Sequence, residues 1–154
     1  MKKILVLIAV AVVAVGAWRM RGSSAPEPTE PSEPKLAYDR LWIDHLPRND
    51  RDTIEVFAAL TEHSMGVFQA ASSWKGTYEG FRFEARGDEL RAVYPQTGDK
   101  DKIRIRARAC NERGMNFCLD IEGASRGVKR YYSREGWEIE SRDAADTIVH
   151  SLFE

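Results

Sequence analysis

The sequence has little of what a metal site or a nucleophilic enzyme needs. It contains only three histidines and two cysteines. His45, His63 and His150 do not show the HxxxH or HExxH spacing that brings two imidazoles to one metal ion, so we expect neither a metal nor a cofactor. The serines, at positions 64, 72, 73 and 125 among others, lack the context of a nucleophile elbow. We therefore predict that the protein is not an enzyme.

A strong charge of one sign is also missing. Lysine and arginine number 23 and aspartate and glutamate 24, for a net charge of −1. After residue 35 the balance is mildly acidic, with 18 basic against 21 acidic residues. Because non-specific nucleic-acid binding depends on a basic surface, we expect no nucleic-acid partner.

Long apolar runs are absent except at the start of the chain. Lys2 and Lys3 precede an unbroken apolar or small stretch from Ile4 to Ala17, which is typical of a secretory signal. Its length of about 21 Å is short of the roughly 30 Å of a hydrocarbon core, but Trp18 and the flanking basic side chains could extend it. Residues 1–21 are thus a cleaved signal peptide or a retained membrane anchor, and we predict an exported protein, periplasmic or membrane-anchored with its domain outside the cytoplasm.

Proline is scarce outside one segment. Four of the six prolines and three glutamates fall in residues 22–34, which hold no large apolar side chain. Such a composition favours an extended, disordered spacer, reaching about 40 Å; an ordinary junction without a reach function is the alternative. Residues 35–154 then form a single globular domain.

The two cysteines, Cys110 and Cys118, flank a short polar loop within alternating sequence. A structural disulfide is favoured over metal-binding or reactive thiols, because no further ligand lies near them and the chain is predicted to be exported. If the two cysteines lie opposite each other across a hairpin, Arg108 faces Asp120 and Arg106 faces Glu122, so opposite charges pair across the ladder.

The rest of the domain has the pattern of an antiparallel meander. Short alternating segments separated by turns predict strands at 78–85, 90–94, 102–110, 117–122, 128–133 and 137–140. Residues 53–72 fit either two strands or a helix that begins at Asp52, and residues 143–153 fit an amphipathic closing helix. The fold class is therefore mainly β, a meander that closes into a small barrel or a strongly bent sheet, with a C-terminal helix and an N-terminal hydrophobic helix.

Two resemblances accompany this pattern. Trp74-Lys75-Gly76-Thr77-Tyr78 resembles the early-strand Trp and Gly of lipocalin-like small β-barrels, and the likeness covers residues 74–140. Here the motif follows two possible strands instead of standing at the first, which leaves the strand order and a ligand pocket open. The pattern through Phe68-Gln69, Pro95-Gln96, Cys110, Cys118 and Tyr131-Tyr132 resembles uncharacterised exported proteins of myxobacterial type, which implies no activity.

Two sets of residues are candidate binding sites. A basic face on one strand could meet anionic groups, or be a solvated face neutralised by Asp120 and Glu122; it comprises Lys100, Lys102, Arg104, Arg106 and Arg108. Aromatic residues could line a pocket for an apolar ligand, or form the core; they are Trp74, Tyr78, Phe81, Phe83, Tyr94, Tyr131, Tyr132 and Trp137.

Two functions remain open. The first is a structural or protein-interaction component of the cell envelope, which predicts a filled core and an exposed apolar patch near residues 41–46 or the final helix. The second is a lipocalin-like binding module for an apolar or amphiphilic ligand, which predicts a connected cavity. Residues 35–51 would pack on the barrel, or instead present a helix to a partner. The expected partners are the membrane, if the N-terminal segment is retained, and an envelope protein or an apolar ligand.

Overall fold

A computed structural model describes residues 32–153 of the chain. Its elements begin with a 3-10 helix at Pro34–Ala37 and end with helix α1 at Arg142–Ser151. Between them lie eight strands: β1 (Trp42–Ile43), β2 (Ile54–Leu60), β3 (Met65–Ala71), β4 (Gly76–Arg86), β5 (Glu89–Val93), β6 (Lys100–Glu112), β7 (Met115–Glu122) and β8 (Arg130–Ser133).

The strands form a closed antiparallel barrel in chain order. Each strand pairs with the next, and Ile43 of β1 lies opposite Tyr132 of β8 to complete the circle. The predicted meander, its closure and the C-terminal helix are confirmed. The predicted N-terminal hydrophobic helix lies outside the described residues.

Residues 53–72 form strands β2 and β3, not a helix, because β2 buries both of its faces. Phe57 and Ala59 point into the barrel, whereas Val56 and Ala58 belong to a second apolar cluster on the outside. A strand presents alternate residues to opposite layers, so a continuous apolar run suits a strand covered on both sides.

Two other segments differ from a simple strand pattern. The predicted strand at 137–140 is wrong: its one ladder contact is an isolated bridge between Arg40 and Glu138. Residues 35–51 pack on the barrel through Leu41, Trp42 and Ile43, which are at most 2 % exposed, and beyond the 3-10 helix they form no helix that could be offered to a partner.

The β6–β7 register differs by two residues from the predicted one. Arg108 lies opposite Cys118 and Arg106 opposite Asp120, and the ladder shifts between Ala109 and Glu112. A β-bulge places an extra residue on one strand, and alternation alone cannot reveal it. The disulfide between Cys110 and Cys118 is nevertheless present, with a Cα–Cα distance of 5.8 Å.

The barrel interior combines large rings with small residues. Phe57, Phe68 and Phe81 meet with ring centroids 5.1–6.2 Å apart. Gly66 makes room for this cluster, since a Cβ at that position would overlap the Phe81 ring. The interior is thus filled in the way that cores of small barrels are filled.

A second apolar layer lies between the outside of the barrel and α1. The helix begins at Ser141, whose hydroxyl accepts a hydrogen bond of 3.2 Å from the Ala144 N–H. Ile148 and Val149 of the helix pack against a cluster that includes Ile54 and Val56 of β2. Residues 32–153 form a closed barrel with two apolar clusters and a disulfide, so we expect this part to fold by itself.

Candidate functional site

The structure separates the eight candidate aromatic residues into three groups. Four lie in the interior of the barrel: Phe81, Phe83, Tyr94 and Tyr131. Tyr132 and Trp137 belong to the outer cluster beside α1. Trp74 and Tyr78 are on the surface, with 81 % and 77 % of their area exposed. These residues therefore do not line one cavity.

Two polar rings of the interior, Trp42 and Tyr131, have hydrogen-bond partners within the chain. The Trp42 indole N–H donates to the Ala37 carbonyl at 3.1 Å, and the Tyr131 hydroxyl accepts the Val128 N–H at 2.9 Å. Burial raises the pKa of the Tyr131 hydroxyl above its usual range. These bonds fix the rings in place, as expected for a structural core.

One end of the barrel is held by a charged cluster around Arg126. Its guanidinium makes two 3.0 Å hydrogen bonds to Glu79, reaches Asp99 at 2.8 Å and lies 3.9 Å from the centre of the Tyr94 ring. The hydrogen bonds to Glu79 and Asp99 raise the pKa of Arg126 further above its high ordinary value. All these bonds join residues of the chain itself, so we assign the cluster a structural role.

The cluster closes a gap between two strands. β5 pairs with β4 only from Arg82 to Arg86, so within the described residues Gly76–Phe81 pair with β3 alone. Glu79 lies in that half-paired stretch, and Arg126 ties it to the turn that holds Asp99. No motif in the sequence indicates this arrangement, because Glu79 and Arg126 are far apart along the chain.

Ser125 directly precedes Arg126 in the turn Gly123-Ala-Ser-Arg-Gly127, which connects β7 and β8. Its N–H and hydroxyl both donate to the Asp101 carboxylate at 2.7 Å, and Tyr94 donates to the same oxygen at 3.0 Å. Burial tends to raise the pKa of the Asp101 carboxyl, but the hydrogen bonds from Ser125 and Tyr94 outweigh it, so the pKa is lower than its ordinary value. No histidine faces Ser125 in this network, so it does not resemble a nucleophile with its base.

The basic face is paired with carboxylates along β6. Lys102 meets Glu89 at 2.8 Å, Arg104 meets Asp88 at 3.5 Å, Arg106 meets Glu122 at 3.6 Å and Arg108 meets Asp120 at 3.1 Å. Lys100, the first residue of β6, also belongs to the basic face but is not a member of these four pairs. The charges are largely neutralised where they stand, and they leave little free positive charge for an anionic ligand.

The three histidines lie apart. His45 lies between Asp44 at 2.9 Å and Asp52 at 3.3 Å, His63 is in the β2–β3 turn and His150 is near the end of α1. The Arg48 N–H and guanidinium lower the pKa of Asp52 to about 2. Within residues 32–153 no three His, Cys, Asp or Glu side chains gather as metal ligands.

The surface carries two larger depressions. One, of about 740 Å³, runs over β4–β6, and half of its lining residues are charged, among them Arg82, Glu84 and Lys102. The other, of about 540 Å³, lies beside α1 on the outer face of β2–β4 and has an apolar floor of Ala58, Val67 and Gly80. We call the second depression the α1 groove.

The α1 groove continues into exposed apolar surface. Leu60 and Val149 form part of its walls, and Met65 and Tyr78 are 47 % and 77 % exposed at its sheet side. Exposed apolar residues that cluster in this way mark contact surfaces. The sequence analysis named Tyr78 and expected an apolar patch near residues 41–46 or the final helix; Leu41, Trp42 and Ile43 are buried, and the patch lies at the helix. Leu60 and Met65 were not selected, and the available signal for them is the apolar run of β2, which needs cover on both faces.

The two sides of the α1 groove differ in charge. Asp146 of α1 lines the helix side, while Arg82 lies opposite Met65 in the β3–β4 ladder on the sheet side. The groove is thus lined mainly by apolar residues with Asp146 among them, whereas Arg82 lines the neighbouring depression.

Comparison of the chain with protein-family models, with curated proteins and with solved structures finds no match. Among residues 32–153, no helix has the length and apolar content of a membrane span.

Proposed function

We propose that the protein is a protein-interaction component of the cell envelope, an exported barrel that holds a partner in the α1 groove. The observation that carries this proposal is the contrast between the two apolar surfaces. The interior is occupied by Phe57, Phe68 and Phe81, whereas the groove lies open to solvent with Met65 at its side. A partner that covers the groove would remove apolar area from water, which is the main favourable term in association.

The groove has the anatomy of a protein contact. Its lining is mainly apolar, with Gln69 and Asp146 among its few polar members, and protein interfaces likewise combine apolar and polar parts. Met and Tyr, which are enriched at such interfaces, contribute the exposed apolar area through Met65 and Tyr78. The basic face on β6 lacks this anatomy, because its charges are paired along the strand.

Two features support an envelope location. The Cys110–Cys118 disulfide suits an oxidising compartment, and the apolar run from Ile4 to Ala17 follows Lys2 and Lys3 as in a secretory signal. The partner would then be a protein on the non-cytoplasmic side, or a second copy of this chain.

Site-specific photocrosslinking in the cell envelope tests the proposal. A photoreactive residue replaces Met65 in the groove, and a matched one replaces Ala109, an exposed residue of β6. We expect discrete protein adducts from position 65 and none from position 109. Equal adducts at both positions, or none at either, would contradict the proposal.

A lipocalin-like binding module is the second candidate, and the closed eight-stranded barrel favours it. An apolar ligand would have to displace interior rings such as Phe68 and Phe81, which are at most 4 % exposed. Native mass spectrometry of residues 22–154 expressed into a periplasm distinguishes the two. A small mass released on denaturation favours the binding module, and a clean protein mass favours the interaction component.

A further inference from the structure

The hairpin between β3 and β4 presents a tryptophan that the barrel does not cover. Trp74 is 81 % exposed and Tyr78 is 77 % exposed, the two largest exposed fractions among the large apolar side chains of residues 32–153. Both belong to the motif that resembles an early strand of lipocalin-like barrels. A side chain as large as tryptophan contributes much apolar area to any surface that it meets. We call residues 72–78 the β3–β4 tip.

Hydrogen bonds on both sides fix the backbone of the β3–β4 tip. The Ser72 N–H donates to the Lys75 carbonyl at 2.8 Å, and the Lys75 N–H donates to the Ser72 hydroxyl at 3.2 Å. The Ser73 N–H and hydroxyl both donate to the Asp50 carbonyl in the β1–β2 loop. Trp74 is therefore presented by an ordered backbone, and a contact through it would cost little backbone entropy.

The β3–β4 tip also stands clear of the neighbouring strand. β5 pairs with β4 only from Arg82 to Arg86, so the stretch Gly76–Phe81 extends past β5 by about 20 Å. Trp74 lies beyond the end of this stretch. A flat surface can therefore approach the tip without first meeting β5.

The composition of the tip suits the headgroup region of a lipid bilayer. Tryptophan and tyrosine gather at that region because each combines an apolar ring with a polar group. Between Trp74 and Tyr78 the chain has only Lys75, Gly76 and Thr77, which offer no apolar floor for the dry centre of a protein contact. A single ring among polar and small neighbours fits a lipid surface better than a protein pocket.

The charges beside Trp74 favour a surface with anionic lipid. Lys75 follows Trp74 in the turn, and Arg51 and Trp74 line a common depression of about 380 Å³. Asp50, whose carbonyl holds the turn, is the acidic neighbour, so two basic residues and one acidic residue give a net charge of +1. Basic side chains at a bilayer surface are attracted to anionic headgroups, and the indole ring adds the apolar contribution.

We propose that the β3–β4 tip is a membrane-contact site, at which Trp74 enters the headgroup region of a phospholipid bilayer and Lys75 and Arg51 meet its phosphate groups. This contact goes beyond the protein contact at the α1 groove and does not depend on it. Trp74 is not a lining residue of that groove, although Tyr78 borders both surfaces.

Vesicle binding by residues 22–154, which lack the apolar N-terminal run, tests the proposal. The vesicles contain phosphatidylcholine and phosphatidylglycerol in equal parts, with brominated acyl chains that quench nearby tryptophan. Of the three tryptophans in residues 22–154, Trp42 is fully buried and Trp137 is partly buried, so the quenched emission should come from Trp74. Trp74→Ser should weaken binding by about tenfold and abolish the quenching. Trp137→Phe is the matched control and should leave both unchanged.

Removal of single charges tests the role of the cations. Lys75→Gln should weaken binding to these vesicles by about fivefold, since one basic residue near an anionic bilayer contributes roughly that factor. Arg86→Gln removes the same charge at the opposite end of β4 and should leave binding unchanged. Circular dichroism verifies that each variant is folded. Equal losses in the two variants would show a general charge attraction and overturn the proposed tip.

Three further outcomes would overturn the proposal. The first is a wild-type emission that brominated vesicles do not quench, and the second is a Trp74→Ser variant that binds them as tightly as the wild type. A photoreactive residue at position 74 of the full chain distinguishes lipid from protein in the cell envelope. We expect lipid adducts, and adducts with protein alone would be the third contrary outcome. Crosslinking at position 65 reports on the α1 groove, so the two proposals fail separately.

Discussion

Cys118 lies directly opposite Arg108 in the β6–β7 ladder, although its sulfur is bonded to Cys110 two residues further along β6. The bulge after Ala109 makes this possible, since it changes the spacing at the end of the ladder. Arg108 meanwhile reaches Asp120 at 3.1 Å, which is diagonal to it and not opposite. The disulfide therefore joins the end of the hairpin without setting the register of its charged pairs.

Removal of the disulfide should lower stability without undoing the barrel. The bond closes a loop with a sequence separation of 8, so we expect Cys110→Ser with Cys118→Ser to lower the free energy of unfolding by about 2 kcal/mol. Urea unfolding followed by far-UV circular dichroism measures this change. Reduction of the wild-type protein serves as the control and should give the same loss. A larger loss, with disappearance of the β spectrum, would show that the bond is required for folding.

Gly66 and Gly80 should respond oppositely to an added methyl group. A Cβ at Gly66 would overlap the Phe81 ring, whereas the nearest atom to a Cβ at Gly80 is 3.7 Å away. We expect Gly66→Ala to cost about 1–3 kcal/mol through overpacking, and Gly80→Ala to be neutral or slightly stabilising. Thermal unfolding of the two variants compares them, and equal effects would contradict the filled interior.

Replacement of Arg126 should loosen one end of the barrel. Arg126→Gln removes the ion pairs to Glu79 and Asp99 and the contact with the Tyr94 ring. We expect faster amide hydrogen exchange in the first half of β4 and in the turn at 94–99, with a lower melting temperature. Arg104→Gln, which removes one 3.5 Å pair on the exposed face, is the control. Unchanged amide hydrogen exchange in β4 would contradict a structural role for Arg126.

The Asp52 carboxyl should make stability depend on pH in acid. Hydrogen bonds from Arg48 hold the pKa of Asp52 at about 2, below the ordinary value of 3.8. The folded state therefore binds the proton less well than the unfolded state does, and the stabilisation is present above pH 3.8 and is lost as pH falls through about 2. Asp52→Asn should flatten this part of the stability curve. A carboxyl that titrates near its ordinary value by NMR would refute the assignment.

The strand pattern was predictable because each strand after β3 obeys a local rule. Alternation places Ile103 and Ile105 inside and Lys102 and Arg104 outside, and turns between strands separate the segments. The disulfide followed from two cysteines in one hairpin. The register did not, since a bulge changes the pairing without changing the alternation of residues on either side of it.

An apolar patch near the final helix was expected, but the sheet side of the α1 groove could not be predicted, because it depends on where distant elements meet. Val67 of β3 and Val149 of α1 line the same depression, and no local pattern relates them. The aromatic residues show the same limit. Phe81 and Tyr78 stand three residues apart on one strand, yet one is fully buried and the other 77 % exposed, because an odd separation along a strand changes the face.

The contacts that hold neighbouring strands together differ from one side of the barrel to the other. Between β6 and β7 the joint is a long ladder with a covalent bond at its end. Beside the first half of β4 the joint is a set of charged side chains around Arg126. Of these two junctions the one beside Arg126 is the weaker, so hydrogen exchange and partial unfolding there should precede those at the cystine side.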